Sequence, residues 1–315
     1  MSVQSIMKTV FGFTALVVTA VLTIPGLSSG NGSTVTETIW ETQGYDTYGK
    51  ALAEQVAAGD GGGADATFRN SGVALDPGGQ AYYAVNGVHP VRRGDYSSYY
   101  PKSIVKASLE DDSIIKVFSF GKVNGRDVDM EALTFAADPA KLYIGDEYNF
   151  IYELDLASGE ITNEWDLASV GVRTNVDKGI EALTYSSATG CFYAGIQGTG
   201  EILCLELKKN SVSRVDSFSL ESGWAPSGLF AHKDGHLYIV SMRGGGRSGN
   251  QMIFKYDIKG ILKSKITIPA SLGMTRPDGI AFDEEGKYVF IVDSQGPIYG
   301  GYSLYRIPWK ALSSN

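Results

Sequence analysis

DVDMEALTFAADPAKLYIGDE, residues 127–147, is followed fifty residues on by DKGIEALTYSSATGCFYAGIQ, residues 177–197, and the pair decides how this chain folds. Each stretch reads as an acidic residue, a short apolar strand, a turn and a second apolar strand. Three further copies are present: SGVALDPGGQAYYAVN from Ser71, SGLFAHKDGHLYIVS from Ser227 and DGIAFDEEGKYVFIVD from Asp278. One such hairpin cannot bury both of its faces, so copies must stack on one another. The starts at 71, 131, 181, 227 and 278 give steps of 60, 50, 46 and 51 residues. Steps of that size suit four-stranded propeller blades of about 40–50 residues.

In the first strand of a copy, large residues alternate with small ones: Leu133 and Phe135 against Ala132 and Thr134, Ile280 and Phe282 against Gly279 and Ala281. A strand with one bulky and one small face belongs at the centre, where neighbouring blades approach closely. Third strands read as IYELDL at 151, EILCLEL at 201, MIFKYDI at 252 and SLYRI at 303, and fourth strands as IIKVFSF at 114, ITNEWDL at 161, VDSFSL at 215 and SKITIP at 264. From Asp278 to the end only 38 residues remain, enough for three strands, so TVTETIW at 34–40 is the expected source of the missing outer strand. The fold is thus all-β, a propeller of five blades. Six would require a blade from residues 42–70, where GYDTYGKALAEQVAAGDGGG reads as a short helix and a glycine loop.

Outside the repeats, FGFTALVVTAVLTIP at 11–25 lies in a charge-free run from 9 to 36 and reads as a secretory signal. An uncleaved membrane anchor is the alternative, since the run is close to the shortest bilayer span. The chain divides accordingly into a leader (1–30), a closing strand and linker (31–70) and the propeller (71–315). Asn31-Gly32-Ser33 fits a glycosylation acceptor beside the end of the leader. The body is expected to be secreted, periplasmic or on the cell surface. With 27 Lys and Arg against 35 Asp and Glu, a net charge of −8 and no basic cluster beyond Arg92-Arg93, nucleic acid is excluded as a partner. Cys191 and Cys204 fall on consecutive strands, where a bridge is possible, but the register makes them diagonal neighbours and two buried free thiols are the expected state.

In an antiparallel hairpin the start of the first strand lies beside the end of the second. Glu131 therefore neighbours Asp146 and Glu147, Glu181 neighbours Gln197, Asp278 neighbours Asp293, Ser71 neighbours Asn86 and Ser227 neighbours Ser241, all at one end of the channel. The preceding loops add Asp127, Asp129, Asn175 and Asp177. No Lys or Arg holds an equivalent place in the pattern, so the acids require a cation, and the mix of carboxylate and amide oxygens suits calcium, Ca²⁺. The expected metal ligands are Glu131, Glu147, Glu181, Asp278, Asp293, Asp146 and Asn86. Otherwise these acids cap strand ends and face solvent.

At DVDMEALTF, LYIGDE, DKGIEALTYSSATGCFYAG, APSGLFAHKDGHLYIVS and RPDGIAFDEEGKYVFIVDS the chain resembles the SdiA-regulated, NHL-like propellers. That resemblance implies five blades, a location outside the cytoplasm, a calcium site on the propeller and no secure catalytic activity. Two departures stand out: Ile196-Gln197 where the pattern favours an acid, and a Tyr-rich insertion over residues 86–113, either a lid or a loop. PDGIAFDEEGKYVFIVDS also resembles regucalcin and gluconolactonase propellers, and SGVALDPGGQAYYAVN with DMEAL resembles phytase-like esterase propellers. The primary expectation is a calcium-binding module that takes an unknown small molecule or protein at the acidic mouth. The alternative is a calcium-dependent lactonase or phosphoesterase with Glu131 or Glu181 as general base. A phosphate substrate also wants basic residues near the mouth, and Arg92, Arg93, Arg126 and Arg276 could serve only if loops bring them in. A Ser triad or a three-histidine zinc site would need the histidines, His89, His232 and His236, to converge, and the last two sit on or beside a turn at the face opposite the acids.

Overall fold

In a computed structural model, the described residues are 46–48, 66–90, 103–174, 178–243, 251–294 and 304–313. They form five four-stranded antiparallel sheets. Blade 1 runs β2 (Ala66–Leu75), β3 (Ala81–Pro90), β4 (Ser103–Ser108) and β5 (Ile114–Ser119). A two-stranded hairpin, β6 (Lys122–Val123) with β7 (Arg126–Asp127), leads into blade 2. That blade contains β8 (Met130–Phe135), β9 (Lys141–Asp146), β10 (Phe150–Asp155) and β11 (Ile161–Asp166). Blade 3 is β12 (Ile180–Ser186), β13 (Cys191–Ile196), β14 (Glu201–Lys208) and β15 (Ser211–Ser219). Blade 4 is β16 (Trp224–Ala231), β17 (His236–Arg243), β18 (Gln251–Asp257) and β19 (Leu262–Thr267).

Blade 5 takes β20 (Pro277–Phe282), β21 (Tyr288–Asp293) and β22 (Leu304–Pro308) from the end of the chain and β1 (Asp46–Tyr48) from its start. Strand β1 pairs antiparallel with β22, Thr47 opposite Tyr305. The outer strand expected from TVTETIW is therefore supplied by Asp46–Tyr48, closer to the first blade, and residues 34–40 lie outside the described residues. A second correction concerns the insertion expected over residues 86–113. Strand β3 runs to Pro90, and Ser103–Ser108 is the third strand of blade 1, whose Ile104, Val105 and Ala107 are buried. The leader, the glycosylation-like Asn31-Gly32-Ser33 and the tyrosines of residues 91–102 fall outside the described residues. Among those described, no helix is long and apolar enough to cross a membrane.

The core is five cores, one for each junction between blades. Between blades 1 and 2, for example, Val85, Ile104 and Phe118 meet Leu133, Ile144 and Leu154, and between blades 4 and 5 Val240 and Ile253 meet Ile280, Val289 and Ile291. Bulky side chains on one face of each sheet fill the space against the next, as sheet packing requires. The same stacking holds the inner strands together through hydroxyls. Tyr185 N–H donates to Thr134 Oγ1 (3.2 Å), and Ala231 N–H donates to Thr184 Oγ1 (3.0 Å), so the threonine of each EALT stitches its blade to the next. Behind β22 the short helix α1 (Trp309–Ser313) seats Trp309 against Phe282 and Tyr238, at ring centroid distances of 4.9 and 5.2 Å.

Cys191 and Cys204 are joined in a disulfide, with Cα atoms 5.6 Å apart. The register does make them diagonal, since Cys204 faces Tyr193. Diagonal Cβ atoms on one face of an antiparallel pair still come close enough to bridge, which is why the expected free thiols are absent.

Candidate metal centre at the channel mouth

Every inner strand carries a β-bulge at the same place. The register shifts between Asn70 and Val73 in β2, Met130 and Ala132 in β8, Ile180 and Ala182 in β12, Pro226 and Gly228 in β16, and Pro277 and Gly279 in β20. A bulge breaks the two-residue alternation and re-aims the extra side chain. The residues so placed are Glu131, Glu181, Ser227 and Asp278, with Ser71 at the matching position of blade 1. Each is followed by a residue small enough for the neighbouring strand to approach: Gly72, Ala132, Ala182, Gly228 and Gly279. A Cβ on Gly72 would stand 2.7 Å from the Glu131 carbonyl oxygen, and one on Gly279 would stand 2.9 Å from that of Ser71. The five inner strands therefore close tightly on the axis. Around Glu131, Glu181 and Asp278 the remaining cavity is about 10 Å³ for the centre of a water-sized sphere, on the scale of one water or one ion.

The bulge serines fix their neighbours. Ser227 Oγ donates to the carbonyl of Pro277 (2.8 Å), immediately before Asp278, and Ser71 Oγ donates to the carbonyl of Met130 (3.4 Å), immediately before Glu131. The blades lacking an acid at the bulge thus position the acids of the next.

One carboxylate oxygen from each of Asp129, Glu131 and Glu147 lies within 4.8 Å of the other two. Asp129 and Glu147 are buried and Glu131 is partly buried. A cation with Ca–O distances of about 2.3–2.6 Å reaches oxygens up to roughly twice that distance apart, so the three could share one ion, and an all-oxygen donor set is what calcium takes. Glu181, itself buried, hydrogen-bonds Glu147 and accepts from the Gln197 amide. Burial, followed by the charge of Glu131 and the contact with Glu147, pushes its carboxyl well above the usual carboxylate range. Asp278 is pushed up to about 6 by burial, against the opposing pull of the Arg276 guanidinium.

Asp146 and Asp293 do different work. Both are fully buried, and both accept from backbone amides. Asp146 takes the N–H of Asp129 (2.6 Å) and of Tyr148 (2.7 Å), while Asp293 takes the N–H of Thr275 and of Arg276 (2.8 Å each). Each clamps the residues that enter an inner strand. Asn86 lies at the corresponding register position of blade 1, opposite Asn70 and Ser103. Two features depart from the expectation. Asp129, assigned by the sequence only to a nearby loop, is a member of the tightest carboxylate group. The mouth, where no Lys or Arg holds an equivalent place in the repeated phrase, contains Arg276, one of four arginines expected to reach it only if loops bring them in; its Nε lies 3.2 and 3.1 Å from the two oxygens of Asp278. Arg276 precedes the bulge acid by two residues and so sits outside the repeated phrase, which is why its place at the rim depends on the strand entry and not on the repeat. His232 and His236 flank the turn between β16 and β17, at the other end of that hairpin, as expected.

Among solved structures, the chain has distant likenesses. The WD40 repeats of RRP9 are 12% identical, covering 78% of this chain and 98% of that one at a TM-score of 0.44. Hydrazine synthase of Kuenenia stuttgartiensis is 14% identical over 78% of this chain and 67% of that one, also at 0.44. No curated protein matches the chain. A family model does match, over residues 47–241, from the closing strand through the acid-bearing hairpins of blades 2 and 3 and on into blade 4. Its description is esterase-like activity of phytase, and with more than half of the sequence inside the match, this chain belongs to the phytase-like family.

Proposed function

We propose that the protein is an extracytoplasmic, calcium-dependent ester hydrolase of the phosphoester class, working at the mouth of the propeller channel. The convergence of Asp129, Glu131 and Glu147 carries this reading. These residues would hold the ion, and a bound divalent cation would polarise a phosphoryl or carbonyl oxygen. Glu181 is the remaining carboxyl at the cluster, oriented by Gln197, and serves to exchange a proton with water at the mouth. Ser71 and Ser227 hold the strand entries in place, and the inner strands approach closely around the axis. The family description supports ester chemistry, and the Cys191–Cys204 disulfide supports a compartment outside the cytoplasm.

A second reading, a module that holds calcium and binds a partner without chemistry, is favoured by the small size of the axial cavity and by the resemblance to SdiA-regulated propellers. One experiment addresses both. Thermal unfolding of the wild type is expected to rise with calcium relative to chelator, by about 2.7 kcal/mol at a hundredfold excess over Kd, and Glu131→Gln with Glu147→Gln is expected to abolish the shift. Calcium-loaded protein is then assayed on aryl phosphate mono- and diesters and on lactones. Turnover lost in Glu181→Gln while the calcium shift persists identifies the hydrolase. A calcium shift with no turnover on any ester leaves the binding module.

A further inference from the structure

The residue two places before each bulge residue occupies one rim position, repeated around the ring. In blade 2 it is Asp129, whose N–H donates to Asp146 and whose carbonyl accepts from Glu147 N–H at 2.9 Å. In blade 5 it is Arg276, whose N–H donates to Asp293 and whose carbonyl accepts from Ser294 N–H at 2.9 Å. In blade 3 it is Gly179, whose carbonyl accepts from Gln197 N–H, and in blade 4 it is Ala225, whose carbonyl accepts from the Ser241 hydroxyl. In blade 1 the register places Arg69 there, opposite Gly87. The same backbone seat thus presents a carboxylate on blade 2 and a guanidinium on blade 5, with blade 1 between them.

Arg276 is held at one edge. Its Nε faces both oxygens of Asp278, and its side chain remains 26% exposed. Of the five donors on a guanidinium, this uses the one on Nε. The terminal nitrogens make no hydrogen bond among the described residues. Had the ring required only neutralisation of Asp278, a fork-to-fork pair through the terminal nitrogens would have used the guanidinium fully. The edge-on contact instead leaves a rigid pair of donors, spaced for two oxygens of one oxyanion, on the same rim as the carboxylate cluster. The nearby charges of Asp278, Glu181 and Glu131 keep the guanidinium well within the range in which it is charged.

We propose that Arg276 is an oxyanion seat: its terminal nitrogens receive two oxygens of a ligand's phosphoryl or carboxylate group at the rim beside the carboxylate cluster. The inference deepens the hydrolase reading, on which it rests for calling that ligand a substrate. It also gives the mouth a polarity, cation-binding on the side of blades 2 and 3 and anion-binding on the side of blade 5.

The probes are phenylphosphonate, which offers the oxygens of a phosphate ester without a bond to hydrolyse, and benzoate, which offers a carboxylate on the same ring. Each is titrated by calorimetry into wild type, Arg276→Gln, Arg276→Lys and the double variant Arg276→Gln/Asp278→Asn, with calcium and with chelator. The double variant removes both members of the pair, so no unpaired buried carboxylate confuses the result, and its folding is checked by thermal unfolding. Loss of charge-assisted hydrogen bonds is expected to weaken phenylphosphonate by about tenfold or more in Arg276→Gln and in the double variant, and by less in Arg276→Lys. Equal affinity in all four proteins overturns the seat, as does a folded wild type that binds neither probe in either condition. Benzoate that follows the same order assigns the seat to oxyanions in general, and benzoate that does not bind assigns it to phosphoryl groups. Calcium titrations of the same proteins separate the two ideas. A wild type that binds no calcium defeats the hydrolase reading, while the Arg276 dependence of phenylphosphonate in chelator still decides the seat.

Discussion

Glu131 stands where regular β structure would not put it. On an unbroken strand, its alternation with Ala132 and Leu133 would send it to a blade face; the extra residue at the bulge turns it to the axis. The acidic phrase is legible in the sequence, and so is its convergence, because hairpin geometry joins strand starts to strand ends. The separate duties of the acids are not legible. Asp146 and Glu147 are adjacent, yet one spends its oxygens on backbone amides and the other joins the cluster. Nothing in the letters DE distinguishes them. A parallel case at the other end of blade 4 gives a prediction. Asp234 accepts from the Tyr238 hydroxyl (2.9 Å) and from Lys255 Nζ (3.0 Å), with His232 Nδ1 at 3.1 Å. Burial raises its carboxyl, but the bonds from Lys255 and Tyr238, with the His232 imidazole close by, outweigh that and hold it well below the usual carboxylate range. A depressed folded-state value means the group stabilises the protein above its unfolded value and ceases to do so as the pH falls through the folded one. Asp234→Asn is therefore expected to lower stability at neutral pH and to flatten the acid limb of a stability-against-pH curve measured by urea unfolding.

At the scale of elements, the blades carry two kinds of bulge with opposite uses. Those on the inner strands aim side chains at the axis. Those on the outer pairs, between Lys106 and Ala107, Glu153 and Leu154, Cys204 and Leu205, and Lys255 and Tyr256, kink the exposed edge and discourage a further strand from pairing there. Inner and middle strands are readable from their alternation, but register shifts of one residue leave no compositional trace. The third strand of blade 1 escapes a reading of the letters because the sequence ahead of it, rich in tyrosine and charge, masks a six-residue strand. The disulfide escapes it because diagonal placement argues against facing cysteines without forbidding a bridge. It ties the second and third strands of blade 3 across 13 residues. In the chain-entropy account a loop of this size adds about 3 kcal/mol, so Cys191→Ala/Cys204→Ala is expected to lose roughly that amount in urea unfolding. The wild type should match the double variant once reduced.

For the molecule as a whole, the period of the repeat is enough to count blades, since spacing alone leaves room for four strands per step. Where the ring is sealed is less legible. The seal is a strand of three residues, Asp46–Tyr48, against outer strands of six to nine residues in the other blades. It joins the two ends of the chain across blade 5, beside the Trp309 contact with Phe282 and Tyr238. A protein starting at residue 50 is expected to unfold at a markedly lower temperature than one starting at residue 40, and to lose a single cooperative transition, as followed by calorimetry. The difference should be far larger than that produced by removing residues 1–39 alone.

The recurring rim position carries a consequence of another kind. Because Asp129, Gly179, Ala225 and Arg276 hang from one backbone arrangement, the charge at the mouth is written in interchangeable letters on a fixed frame. Gly179 is the blocked letter, since a side chain there would collide with the Glu147 carbonyl. Ala225, half-buried at the same register position opposite Met242, already carries a Cβ and is where a carboxylate or a guanidinium would be installed by exchanging a single residue. The propeller thus separates the labour of standing up from the labour of recognition, and its preference for a ligand can drift by single substitutions without the ring being refolded.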